Sequence, residues 1–250
     1  MSESARFAGQ TVIVTGAGSG IGRATALRIA EEGARIVACD ISAERLDTLL
    51  SENAGLDLVA VAGDLVDQAA VDSAVDACGG RIDALCNVAG IMDGFEAVGE
   101  VADDTWQRVL DVNLNSLMRL TRAALPAMVE AGAGSIVNVT SEAGLRGSAA
   151  GAAYTTSKHA VIGLTRSTAF MYAAKGIRCN AVAPGPVATG IEVHLNSEIA
   201  AERVFPLFER VLPPIATSEQ LAAAISWLAS GDSANVNGAI LPSDGGWSTV

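Results

Sequence analysis

The chain has 250 residues, half of them hydrophobic and few of them aromatic, with a formal charge of −12. That is long enough to bury roughly 70–75% of the unfolded surface, in one large domain or two small ones. The negative charge and the lack of any Lys/Arg cluster argue against nucleic acid or an anionic membrane as partner, and no signal peptide or apolar run near ~18 residues is apparent.

Thr11 to Thr15 is a β-branched run bounded by a polar start and a glycine, the pattern of a buried parallel strand. A glycine-rich loop follows, Gly16-Ala-Gly18-Ser19-Gly20-Ile21-Gly22, then a helical pattern over 21–32 that Gly33 ends. Arg35 to Cys39 reads as the next strand, closed by Asp40. Strand, glycine loop, helix, strand and acid make the dinucleotide-binding arrangement, in which phosphates approach backbone N–H groups at a helix N-terminus. The common Gly-x-Gly-x-x-Gly spacing fails from Gly16, because Ile21 falls on its third position.

The alternation continues with a helix over 42–53, a strand over 58–61, a helix capped by Asp67 and running to Ala77, and a strand over 82–88. A long helix is predicted from Asp103 to Ala123 with Asn113 inside it, and Pro126 marks its kink or its end. A strand over 135–139 leads to Ser141, and a helix is predicted over 152–174, ended by Gly176. The sixth strand, 177–182, runs into Pro184-Gly185-Pro186. Residues 187–216 break the pattern, mixing Gly190, Pro206, Pro213 and Pro214 with apolar Ile191, Val193, Leu195, Phe205, Leu207 and Phe208. A long irregular apolar segment beside a strand end predicts a substrate lid, with a surface excursion or an oligomer contact as the alternative. Ser218 caps a last helix to Ser230, and 238–241 is the last strand. The expected fold is a single doubly wound, Rossmann-like α/β domain over 1–250. It has a parallel sheet of about seven strands, helices on both faces, and the site at the carboxyl ends of the strands.

Cys39, Cys78, Cys86 and Cys179 share neither metal-ligand spacing nor a Cys-x-x-Cys motif, which reads as buried, reduced thiols of a cytoplasmic protein. His159 and His194 are isolated, so no metal site is expected.

Tyr154 and Lys158 are four apart on the predicted helix and share one face. The chain has only two tyrosines and only two lysines, and one of each falls into this pair. A phenol near pKa ~10 exchanges protons poorly at neutral pH. An ammonium at ~4 Å would stabilise the phenolate by roughly 4 kcal/mol at an effective dielectric near 20, enough to bring Tyr154 towards neutrality. Ser141, at the end of its strand, can donate a hydrogen bond to a carbonyl or alkoxide oxygen. The trio is acid–base equipment for carbonyl/alcohol interconversion.

Thr15-Gly16-x-x-x-Gly20-x-Gly22, Asn87-x-Ala89-Gly90, Asn113, Ser141, Tyr154-x-x-x-Lys158 and Pro184-Gly185 together resemble the short-chain dehydrogenase/reductase family in its single-domain form. The resemblance covers nearly the whole chain. It implies that Tyr154 is the proton donor or acceptor, that Lys158 lowers its pKa and holds the nicotinamide ribose, and that Ser141 polarises the substrate oxygen. It implies that Asn113 helps hold a relay water. Gly16, Ser19, Gly20, Ile21 and Gly22 then lie along the phosphates. Asp64 and Leu65 lie at the adenine, Asn87, Ala89 and Gly90 on the ribose side, and Pro184, Gly185, Val187 and Thr189 about the carboxamide. Val88 replaces the usual second Asn of its motif, and an acidic residue often found near the end of the catalytic helix is missing around Met171. The turn Ala131-Gly-Ala-Gly134 lacks the basic residues of relatives that reduce acyl groups on an acidic carrier.

Asp40 points to NAD. It ends the second strand, where the adenosine ribose should lie, and a 2′-phosphate ~4 Å away would be repelled by about 4 kcal/mol before screening. Arg45 on the next helix could partly compensate, and Ser19 stands where NADP-preferring relatives often carry a base. The leading expectation is an NAD-dependent dehydrogenase of a secondary alcohol. A 3-oxoacyl reductase is the alternative enzyme, and a non-catalytic nicotinamide-binding regulator the alternative of another class. The apolar lid, with only Arg203 and Arg210 as cations, predicts a neutral, largely apolar small-molecule substrate. Leu117, Leu120, Ala160 and Leu164 extend two helices' apolar surfaces beyond one stripe, which predicts a symmetric homo-oligomer, a tetramer as in similar proteins.

Overall fold

A computed structural model describes residues 5–190 and 194–250. The chain alternates from β1 (Thr11–Thr15), α1 (Gly20–Glu31) and β2 (Arg35–Asp40) to α2 (Ala43–Glu52), β3 (Leu58–Ala62), α3 (Gln68–Asp76) and β4 (Ala84–Asn87). Then come α4 (Asp103–Leu110), α5 (Ser116–Ala131), β5 (Gly134–Val139), α6 (Ala152–Tyr172) and β6 (Ile177–Pro184). The short helices α7 (Glu198–Arg203) and α8 (Phe205–Val211) precede α9 (Ser218–Ala229) and β7 (Ile240–Ser243).

Seven strands form one sheet in the order β3-β2-β1-β4-β5-β6-β7, every pair parallel. Burial on both faces explains why β1 reads as an unbroken apolar run. Val12 and Val14 join one core with Ala26 and Ile29 of α1, Leu46 and Leu49 of α2, and Leu221 and Ile225 of α9. Ile13, between them in sequence, joins the opposite core with Val71 of α3 and Leu120, Ala124 and Met128 of α5. Successive side chains of a strand point to opposite faces, so five residues anchor both helical layers. The sheet is doubly wound: β1 pairs with β2 on one side and β4 on the other. Chains leaving these two strands diverge, and the crevice between them is where ligands bind in open α/β sheets.

Four expectations need correction. The predicted helix over 103–123 is two helices joined by a π-helical turn, Asp111–Asn115, and the second runs through Pro126 to Ala131. A wider turn leaves backbone hydrogen bonds displaced rather than lost, so the rod continues, and its end is set by Gly132 in the left-handed conformation at φ 65°. The last helix is capped by Thr217, not Ser218, through a reciprocal capping box with Gln220. The last strand lies two residues later, at Ile240–Ser243. The segment over 187–216 is not wholly irregular, since it holds α7 and α8, while Ile191 and Val193 lie outside the described residues. Among the described residues no helix is long and apolar enough to cross a membrane.

Candidate active site

The switch point between β1 and β4 opens into a cleft of about 490 Å³. Gly16, Ser19, Gly20, Ile21 and Gly22 form its floor, with Asp40 and Arg45 at one end and Ala89, Gly90 and Ile91 at the other. The loop is tight because its glycines admit no side chain. Gly16 sits at φ 67° and a Cβ there would lie 3.1 Å from the Ala89 Cα. A Cβ on Gly22 would collide with the Gly16 carbonyl oxygen and lie 2.9 Å from that of Thr15. Ser19, the N-cap of α1, makes no side-chain cap hydrogen bond, the first-turn N–H groups of a helix have no internal partners, and Ser19, Gly20, Ile21 and Gly22 line the cleft. Bare N–H groups at a helix N-terminus above glycines suit phosphate. The observed cradle therefore fits a nicotinamide dinucleotide.

Asp40 is buried at the other end. Its Oδ2 accepts from the Gly18 N–H at 2.9 Å, and its Oδ1 accepts from Ser42 N–H at 2.9 Å and Arg45 Nη2 at 3.0 Å. A carboxylate has about four acceptor sites, so roughly one remains for a ribose hydroxyl. Arg45, which the sequence offered only as a partial compensation for the Asp40 charge, is ion-paired with Asp40 and lines the same cleft. Asp64 and Leu65 line the cleft, with Asp64 Oδ2 accepting from Arg108 Nη1 at 3.0 Å. Thr189 also lines it, with its Cβ 3.1 Å from where a Gly20 Cβ would stand. Asn87 does not line it. Its side chain is buried beneath the sheet and donates to Asn138 Oδ1 at 2.9 Å and Thr121 Oγ1 at 3.2 Å, so only its main chain can face a ligand. Thr15 Oγ1 accepts from the N–H groups of Val88 and Ala89, at 2.9 and 3.0 Å, and joins the two strand ends. Pro184, Gly185 and Val187 lie beyond the cleft lining. Gly185 packs against Asp244, and Val187 bridges to Ala216.

Tyr154, Lys158 and Ser141 lie past the Gly90 end. A Cβ on Gly90 would stand 3.2 Å from Asn113 Oδ1 and 3.3 Å from Lys158 Nζ, so this glycine joins the cleft to the trio. The π-turn brings Asn113 inward, where its Oδ1 accepts from Ile91 N–H at 2.8 Å and its Nδ2 donates to Ile91 O at 2.9 Å and Ser157 Oγ at 3.2 Å. Lys158 Nζ donates to Val139 O at 3.0 Å and lies 5.4 Å from the Tyr154 ring centroid. Ser141 Oγ accepts from the Ala143 N–H at 3.1 Å, and its hydroxyl is close enough to the Tyr154 phenol to influence its titration.

The electrostatics differ from the sequence expectation. Burial pushes the Tyr154 phenol up to about 12, with the Ser141 hydrogen bond opposing and the Asp93 charge assisting. Burial pulls Lys158 down to about 8. Desolvation disfavours both charged forms and sets the direction of both shifts, against the attraction expected for a pair at ~4 Å. The protein's own side chains thus hold a protonated phenol next to a readily neutralised amine. Such a pair can hand a proton to an oxygen held by Ser141.

Sequence reasoning missed several residues. Asp93 is buried against the first turn of α6, and Gly151, Tyr154 and Phe95 all donate backbone N–H groups to it. The rings of Phe95, Phe205, Phe208 and Trp247 contact one another at centroid separations of 5.3–6.2 Å, and Phe208 and Trp247 belong to the apolar cluster that contains Tyr154. The rings come from three separate strand ends. Arg146 holds the C-terminal tail by donating to the carbonyls of Trp247 and Val250 while pairing with Glu142, next to Ser141.

Comparison with known proteins finds relatives over nearly the whole chain. The family model for short chain dehydrogenase matches residues 10–200. The 3beta-hydroxysteroid dehydrogenase 2 of Eggerthella lenta is 41% identical over 252 residues, covering 97% of this chain and 96% of its own. A solved short chain dehydrogenase from Mycobacterium paratuberculosis bound to NAD superposes with a TM-score of 0.87 at 32% identity, covering 98% of this chain and 100% of its own. A structure described as an NAD(P)-dependent gluconate 5-dehydrogenase from Beutenbergia cavernae, with NADP at low occupancy, superposes with a TM-score of 0.83 at 36% identity, covering 97% and 98%.

Proposed function

The chain belongs to the short-chain dehydrogenase/reductase family, and from that premise we propose that it interconverts a secondary alcohol and its ketone with NAD as the redox partner and Tyr154 as the acid–base. The observation that carries this reading is the convergence of Ser141, Tyr154 and Lys158 at the end of a glycine-floored cleft. A bound nicotinamide supplies the hydride or receives it. The rest falls to the chain. Ser141 donates to the substrate oxygen, and Tyr154 delivers a proton to that oxygen on reduction or removes it on oxidation. Lys158, braced by Val139 O, is fixed beside the phenol and near Gly90. Asn113 holds the main chain of Ile91 and so the wall between cleft and trio.

The aromatic contacts beside Tyr154 support a bulky, neutral, apolar substrate, and a relative named for a hydroxysteroid accords with that. The segment over 187–216, which brings Phe205 and Phe208 to the cluster, serves as its lid. Asp40 supports NAD over NADP, and Arg45 narrows the margin. The turn Ala131–Gly134, free of basic residues, weighs against the 3-oxoacyl reductase alternative. A screen of alicyclic, steroid-like and linear secondary alcohols and ketones, with both cofactors in both redox states, tests the reading. Turnover of an apolar alcohol with NAD is the expected result. Cofactor binding without turnover of any member would favour a nicotinamide-binding regulator.

A further inference from the structure

Asp93 sits in the loop after β4, is 4% exposed, and faces no cation within ion-pair distance among the described residues. Backbone N–H groups satisfy its charge instead. Oδ1 accepts from Gly151 at 3.1 Å and Phe95 at 3.1 Å, and Oδ2 accepts from Tyr154 at 2.9 Å. Gly151 is the N-cap of α6, so the carboxylate lies at the helix end that favours an anion. A Cβ on Gly151 would come within 2.5 Å of Oδ2, so glycine there lets the carboxylate reach under the first turn. Phe95, its third donor, is the one non-glycine among the described residues at positive φ, 60°, a conformation L-residues rarely adopt. Its ring touches Phe205 and Phe208.

We propose that Asp93 is a positioning residue, which fixes the height of Tyr154 on its helix and couples that helix to the aromatic cluster through Phe95. The proposal rests on the dehydrogenase reading for its effect on turnover, but not for its effect on Tyr154. Polar groups near Tyr154 include the Ser141 hydroxyl from the loop after β5, Lys158 Nζ from its own helix, 5.4 Å from the ring centroid, and the Asp93 carboxylate from the loop after β4, on the Tyr154 main chain. Glu142, beside Ser141, is paired with Arg146. The Asp93 charge assists burial in keeping the phenol protonated. Removing that charge must let Tyr154 ionise at lower pH, which loss of packing alone would not require.

The test uses Asp93→Asn and Asp93→Ala, each with Tyr172→Phe so that Tyr154 is the only tyrosine. Asparagine can replace Oδ1 as an acceptor but sets an amide N–H₂ against the Tyr154 N–H. Three measurements follow. They are a stopped-flow pH-jump titration of tyrosinate absorbance, hydrogen exchange of the amides over 151–155, and kcat against pH with the best substrate. In Asp93→Asn, Tyr154 is expected to titrate at lower pH than in its parent and the Tyr154 amide to exchange at least ~10-fold faster. The kcat should fall by ~10–100-fold, the scale set by a misplacement of about 1 Å, with KM for NAD within about twofold. Asp93→Ala should show the same changes enlarged. A folded Asp93→Asn with unmoved titration and exchange would overturn the proposal. So would a kcat lowered equally at every pH with an unmoved titration. If the parent turns over nothing, the dehydrogenase reading fails while titration and exchange still decide the role of Asp93.

Discussion

Burial moves Tyr154 and Lys158 in opposite directions, one up to about 12 and the other down to about 8. The proposed chemistry depends on the phenol, the one titrating donor placed at the Ser141 hydroxyl. Tyr154→Phe should therefore leave NAD binding nearly intact and lower kcat by several orders of magnitude. Activity within tenfold of wild type would remove Tyr154 from its role. The cofactor question also turns on single side chains. Under the proposed NAD reading, Asp40 would repel a 2′-phosphate while its partner Arg45, 3.0 Å away, would attract one. NAD should be favoured by at least ~10-fold in kcat/KM, since about 4 kcal/mol of bare repulsion is reduced by Arg45, solvent and salt. Arg45→Ala should widen that preference and Asp40→Ala narrow it. Steady-state kinetics with both cofactors would check each, and a narrowed preference in Arg45→Ala would mean the guanidinium does not face the phosphate position.

At the scale of elements, the glycine loop and α1 depend on contacts that no larger residue can keep. A Cβ at Gly22 meets two backbone carbonyls, and backbone cannot swing aside as a side chain does. Gly22→Ala should cost about 2 kcal/mol, typical of overpacking, or roughly 4–8 °C in a chain of this size, and should weaken cofactor binding. Gly163, on the exposed side of α6, is the control: nothing lies within 4 Å of its Cβ position. There alanine should stabilise by up to ~1 kcal/mol through helix propensity. Thermal melts of the two variants would separate local crowding from a general dislike of substitution at glycine.

For the whole molecule, buried ionisable groups set how stability varies with pH. Lys158 falls from an ordinary 10.5 to about 8, so between those values the unfolded chain binds more protons and stability rises with pH. At ~1.36 kcal/mol per unit this contributes about 3 kcal/mol, fully present above pH 10.5 and lost as pH falls through 8. Tyr154 acts oppositely, since its rise from 10.0 to about 12 lowers stability across that higher window. Denaturation of wild type and Lys158→Met from pH 7 to 10 should show the wild type gaining on the variant as pH rises; parallel curves would contradict the burial of a charged amine. Assembly is the other property at this scale. Leu117 and Leu120, which suggested a second apolar face, are core residues. Ala160 and Leu164 are half-buried, and Phe170 and Met171, near the end of α6, are 83% and 68% exposed. These four still favour a symmetric homo-oligomer, a tetramer by analogy, and a monomeric mass by light scattering at micromolar concentration would reject it.

The alternation of apolar runs with amphipathic segments determined the doubly wound sheet, because strands buried on both faces and helices buried on one must write those periods into the chain. Glycines that must admit neighbouring backbone, and a Tyr and Lys one helical turn apart, were legible for the same reason: each is a local constraint. The π-turn that carries Asn113 inward was not, since its advantage over a straight helix lies in contacts with Ile91 and Ser157, distant in sequence. Asp93 was silent because its meaning is three N–H groups, two of them 58 and 61 residues away. The side-chain direction of Asn87, towards Asn138 and Thr121, was not legible because strand alternation leaves open which side of the sheet a given residue faces. The titration of Tyr154 and Lys158 was decided by tertiary structure alone. Spacing sets how near two charges stand, but only the completed core sets how much water is left to solvate them.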